Sequence, residues 1–181
     1  MAQLFTAMKT YRHSLVFSLI ALACLFLAAC SEPADPRTAP ITAASPDAFK
    51  EWTAKAGQKI PAAEMREFEE CVKEIRLGIM LRKEASGVDP VAWKLCEYIN
   101  GKTFGEVLLL GYDTEAGAVA KEIELQRANM QKIEERLNGP GSDAAKAPLR
   151  DHYAQVKDNV EKLEARLKKA KARLAELQAK K

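Results

Sequence analysis

Nine apolar or small positions, Leu149, Tyr153, Val156, Val160, Leu163, Leu167, Ala170, Leu174 and Leu177, recur at alternating steps of four and three residues along the end of the chain. Heptads sustained over that distance commit the stretch to a long helix with one apolar seam, and such a seam needs a facing helix. The preceding stretch offers one, because Ala116, Val119, Ile123, Gln126, Met130, Ile133 and Leu137 keep the same alternation. Between the two series Asn138-Gly139-Pro140-Gly141 breaks both patterns. A break that short makes an antiparallel coiled-coil hairpin the simplest product, predicted here over 113–181 with its turn near 138–148. Setting Leu137 against Leu149 brings Ile133 to Tyr153, Met130 to Val156 and Ile123 to Leu163. Leu174 and Leu177 are then left to cover Tyr112 and Leu109.

Upstream, residues 46–112 carry the punctuation of shorter helices. Ser45-Pro46-Asp47 supplies an N-cap, a proline at the first helical position and an acid in the first turn; Gly57 ends that helix. Pro61 opens a longer one with Met65, Phe68, Val72, Ile75 and Ile79 on one stripe and Cys71 flanking it. Asp89-Pro90 repeats the cap signal for a third helix bearing Val91, Leu95, Tyr98 and Ile99, with Gly101 as its left-handed stop. Thr103 and Glu106 have capping-box spacing, which favours helix over strand for Val107 to Leu110. The expected fold class is therefore all-α, a small helical domain followed by the long hairpin.

The first segment is of another kind. Lys9 and Arg12 precede sixteen uncharged residues, Ser14 to Ala29, too short for a comfortable membrane span but suited to a secretory signal. Leu27-Ala28-Ala29-Cys30 at its end resembles the bacterial lipoprotein box. The resemblance implies cleavage before Cys30, diacylglycerol on its sulfur, and attachment to a membrane through that N-terminal lipid. Ser31 to Ser45, rich in Pro, Ala, Ser and Thr, then reads as an extended tether, the whole of 30–45 reaching up to about 45 Å. In a Gram-negative host Ser31 after the lipidated cysteine directs such proteins to the outer membrane, facing the periplasm. In that oxidising compartment Cys71 and Cys96, the two cysteines left over, are expected to form a disulfide joining the second and third helices, the alternative being two buried thiols that act as small apolar side chains.

Asp47-Ala48-Phe49-Lys50 after the lipid box, and Ile99-Asn100-Gly101-Lys102-Thr103 running into Glu106-Val107, carry a wider likeness. They resemble a group of small uncharacterised bacterial lipoproteins with a similar start, a similar central segment and a charged C-terminal helix. The resemblance covers roughly residues 20–137 and implies export, lipidation and an all-helical domain. It implies no activity.

Residue chemistry points the same way. After the signal segment one histidine remains, His152 beside Asp151, where a solvated surface residue is the plain reading. Glu69-Glu70 and Glu134-Glu135 are sequence neighbours, so on a helix their carboxylates point about 100° apart and do not converge on one substrate. Asn100-Gly101-Lys102-Thr103 has the end of a phosphate-binding loop without its first glycine, since position 96 is Cys. No catalytic residue, metal or cofactor is expected.

Charge, near balance over the chain, gathers at the end. The last seventeen residues hold Arg166, Lys168, Lys169, Lys171, Arg173, Lys180 and Lys181 against one Glu. That run could contact an anionic surface, but no aromatic interleaves it, so nucleic acid is not expected. The leading expectation is a non-enzymatic binding or adaptor module with an envelope protein partner. Alternatives are a spacer joining membrane to cell wall, through this basic end or through a covalent link at Lys181, and a periplasmic inhibitor or immunity lipoprotein.

Overall fold

The computed structural model describes residues 35–179. The expected signal segment, with Leu27, Ala28 and Ala29, together with Cys30, the start of the tether, Lys180 and Lys181 lie outside the described residues. The described chain forms five α-helices and no strand: α1 (Pro46–Gly57), α2 (Ala62–Leu81), α3 (Val88–Ile99), α4 (Phe104–Asn138) and α5 (Asp143–Gln178).

The helix ends follow the local chemistry. Ser45 caps α1 by accepting the Ala48 amide at 3.1 Å, with Pro46 and Asp47 in the first turn. The capping box at α4 is complete: the Glu106 amide donates to the Thr103 hydroxyl at 3.3 Å, and the Thr103 amide donates to the Glu106 carboxylate at 2.8 Å. Gly101, at φ 78°, turns the chain sharply between α3 and α4. Two boundaries differ from expectation. Helix α3 begins at Val88, so Asp89 and Pro90 occupy its first turn while Gly87, at φ 88°, precedes them. Helix α5 begins at Asp143, capped by Ser142, so the turn is shorter than 138–148 and Pro148 lies inside the helix. There it withholds one backbone donor from the second turn.

Helices α2 and α4 run side by side in the same direction. Phe68 stacks on Phe104 with ring centroids 4.7 Å apart, Cys71 meets Leu108 and Gly111, and Gly78 meets Thr114 one heptad further on. The approach is close because Gly111 has no Cβ; one built there would stand 2.3 Å from the Cys71 Cβ. Helix α5 runs back along both, pairing Arg166 with Glu74 and Arg173 with Glu67. Phe49 and Trp52 of α1 join Phe68 in an aromatic cluster, and Ile75, Ile79, Leu95, Ile99 and Val107 fill the rest of the main core.

The core corrects the expected domain boundary at 112/113. Helix α4 passes through it unbroken, and Leu177 of α5 packs against the main core. The described residues from 36 on form one compact unit. From Val119 onward the hairpin has a second cluster, Val119, Ile123 and Val160 with Met130, Leu163 and Leu167 around them, and buries Ile133 and Val156 further out. This cluster draws on α4 and α5 alone. Its register is the expected one, spanned by Arg127 to Glu164 at 2.7 Å and by Tyr153 to Glu134.

The tether needs a second correction. Instead of extending freely, its last part docks. The Ile41 amide donates to the Lys102 carbonyl at 2.8 Å, the Gly101 amide donates to the Ile41 carbonyl at 3.0 Å, and the Ala43 amide donates to Asn100 Oδ1 at 2.9 Å. Ile41 and Ala43 are each 1% exposed, and Arg37 pairs with Glu64 at 2.9 Å. The Asn100-Gly101-Lys102-Thr103 segment thus has a physical task. It clips the incoming chain with its first three residues and caps α4 with the fourth.

Candidate functional site

A groove of about 670 Å³ runs between α2 and α5 over the Cys71 and Tyr112 side chains. Its walls bring together carboxylates of α2 and α4 with cations of α5. Arg173 reaches Glu67 through two nitrogens, Nε to Oε1 at 2.8 Å and Nη2 to Oε2 at 3.1 Å, and adds Glu176 at 2.8 Å. Arg166 bridges Glu74 at 2.7 Å and Glu115 at 2.6 Å. The Tyr112 hydroxyl donates to Glu67 at 2.9 Å. Two-point guanidinium contacts of this kind fix orientation as well as energy.

These pairs divide the expected basic surface. Arg166 and Arg173 are turned inward onto acids of the same chain, and Lys169 lines the groove. Lys168 and Lys171 are exposed, while Lys180 and Lys181 lie outside the described residues. The sequence reading missed Glu67, Glu74 and Glu115 as partners. A signal was present: Glu67 and Glu74 stand seven residues apart, as do Arg166 and Arg173, so two antiparallel helices in contact bring both pairs into line at once.

Electrostatics make the groove chemically quiet. Burial, then the charges of Glu67, Glu115 and Glu74, push the Cys71 thiol up to about 12. Burial and the hydrogen bond to Glu67 push the Tyr112 phenol up as well. Hydrogen bonds to Glu67 and Glu176 hold Arg173 above its usual range, and the bond to Glu115 does so for Arg166. Each group is thereby kept in the protonation state it already has at neutral pH. A thiolate nucleophile is disfavoured at Cys71 for the same reason.

The expected Cys71–Cys96 disulfide is not formed: both thiols are free and buried. Cys71 faces α4, its Sγ 3.7 Å from the Leu108 carbonyl oxygen, whereas Cys96 is on α3, which packs against α1 and α2. Adjacent helices are not enough; a bridge needs both Cβ atoms on one seam. Native protein treated with iodoacetamide at pH 8 should stay unlabelled at Cys71 and Cys96, as read by peptide mass, and label fully in urea. Labelling of Cys71 at native-state speed would refute its burial. The raised thiol also sets a sign. The folded state holds the Cys71 proton more tightly than the unfolded chain, so this contribution is complete below about 9 and is lost as pH rises toward about 12.

Elsewhere, large apolar side chains face water. Leu77, Met80 and Leu81 at the end of α2, and Val88 and Trp93 in α3, flank the turn at 82–87, while Leu125 is exposed on the hairpin. Among the described residues there is no His, Cys, Asp and Glu grouping able to hold a metal ion, and no helix long and apolar enough to cross a membrane. No family model matches the chain, and neither a curated protein nor a solved structure matches it.

Proposed function

We propose that this chain is a lipid-anchored protein of the bacterial envelope, held at the outer membrane facing the periplasm, and that it works as a non-enzymatic binding or adaptor module. The observation that carries the reading is the free part of the hairpin. Among the described residues, beyond Val119 the two helices have only each other as partners, forming an arm about 30 Å long on a body that buries its own core. An arm of two long helices with a closed seam adds little to the stability of that body. It adds reach and a rigid, charged surface, which suits capture of a protein partner.

The test uses the register. Removing 124–137 together with 149–162 takes two heptads from each strand, keeps Ile123 facing Leu163, and spares Arg166 and Arg173. The shortened full-length chain should be exported and remain helical by circular dichroism. In-cell cross-linking and mass spectrometry should then lose the partner captured by the parent. A partner captured equally by both chains would move the binding surface off the arm and sink this reading.

A further inference from the structure

Five of the six exposed large apolar side chains among the described residues gather around one turn: Leu77, Met80, Leu81, Val88 and Trp93. Val88 is 86% exposed and Trp93 52%. The exposed cations Arg76 and Lys83 lie in the same stretch; Lys94 on α3 and Arg82 are taken up by Glu97 and Glu84, and Asp89 is the exposed acid beside Val88. Lys83 holds a left-handed φ of 57°, closing α2 through its own amide to the Met80 carbonyl and the Glu84 amide to the Ile79 carbonyl. Glycine is the residue that relaxes such a position. A lysine there keeps a cation at the apolar turn at some cost in strain.

Apolar side chains, a half-exposed tryptophan and interspersed cations are the composition of a surface that rests at the headgroup boundary of an anionic bilayer. The buried centre of a protein interface is by contrast depleted in lysine. The clip at Ile41 adds a distance. With 36–43 docked, only residues 31–35 lie between Cys30 and the folded unit, a chain that can reach at most about 20 Å. The clip lies near the start of α2, where Arg37 meets Glu64, and the apolar turn lies at its end, about 26 Å further along.

We propose that the α2–α3 turn is a second, reversible membrane contact, in which Leu81 and Val88 enter the acyl boundary of an anionic bilayer, Trp93 lies at headgroup depth, and Arg76 and Lys83 face lipid phosphates. Helix α2 is then held at both ends. The proposal rests on the anchored reading only for bringing the chain to a bilayer.

Trp93 is its own reporter. Full-length chain carrying Trp52→Phe, which leaves Trp93 as the sole tryptophan, is extracted in detergent and reconstituted into phosphatidylglycerol-containing vesicles with brominated acyl chains. Trp93 emission should fall about twofold against unbrominated vesicles. The fall should vanish when Leu81→Glu and Val88→Glu are added; both side chains are exposed, so folding is not at stake. Trp93 that stays bright in brominated vesicles and open to iodide overturns the proposal, and so does quenching that survives the two glutamates. The mass of the extracted chain reports separately whether Cys30 carries lipid. An unlipidated chain with quenched Trp93 removes the anchor and leaves the membrane contact standing, because the retained apolar run at 14–29 still brings the chain to the vesicle.

Discussion

Replacing Gly111 by alanine is expected to lower the unfolding free energy by about 2 kcal/mol, although alanine is the better helix former. The added Cβ would stand 2.3 Å from the Cys71 Cβ, 2.7 Å from its Cα and 2.9 Å from its Sγ. A clash with the far end of a side chain is relieved by a rotamer change, but the Cys71 Cα is backbone. Helices α2 and α4 must therefore move apart, loosening Phe68 on Phe104 and the packing around Ile75 and Val107. Overpacking of this kind costs about 1–3 kcal/mol and sometimes more, against a propensity gain of up to about 1 kcal/mol. Gly111→Val should abolish a cooperative transition.

The control lies six residues along the same helix. Nothing stands within 4 Å of a Cβ at Gly117, so Gly117→Ala should stabilise by up to about 1 kcal/mol. Urea unfolding followed by circular dichroism distinguishes the two. Substitutions that shift the midpoint in the same direction would mean that α2 and α4 do not approach as described. Cys71→Gly in the Gly111→Ala background should recover part of the loss. Gly78 is a milder case, since its nearest neighbours are the ends of the Thr114 and Arg82 side chains, which can give way.

Ile41→Asp is expected to release the docked segment and to cost about 3 kcal/mol. The cost has a ceiling. A buried carboxylate without a partner would be worse, but residues 36–43 can leave the surface and carry the new carboxylate into water. The loss therefore cannot exceed the free energy of docking. That free energy comes from the burial of Ile41 and Ala43, with contributions from the three hydrogen bonds at Gly101, Lys102 and Asn100. Limited proteolysis should then cut within 36–43 at a protease concentration that leaves the parent whole, while the helices keep their circular dichroism. Asn100→Ala, which removes only the acceptor for Ala43, should produce the same cut more slowly. Unchanged protection in Ile41→Asp would show that Ile41 does not hold the segment.

The hairpin was legible because its signal is redundant. Sixteen seam positions agree on one period, so the pairing of Ile123 with Leu163 could be read before any contact was known. The caps at Ser45 and Thr103 were legible for a related reason, being local chemistry within four residues. Three features were less accessible. Cysteine spacing places Cys71 and Cys96 on neighbouring helices but does not say which seam each one faces, and Cys71 faces α4. The docked tether was hidden because Ile41 is a single apolar residue in a stretch with no period, and its partners are backbone groups of a turn about 60 residues away. The basic run was legible as charge only. The pairing of Arg166 and Arg173 with acids of α2 depends on α5 running back along α2, which a single-helix pattern does not contain.

The clip at Ile41 also decides how the molecule responds to being pulled. Tension applied to the N-terminal end of the chain enters the fold through three hydrogen bonds of the docked backbone and the Arg37–Glu64 pair, before any helix is loaded. Release of those contacts and of buried Ile41 and Ala43 would free the eight residues 36–43, up to about 27 Å of chain ahead of α1, while the helical body stays intact. That extension would need no unfolding of the core, since Ile41 and Ala43 are the only buried side chains among 36–43.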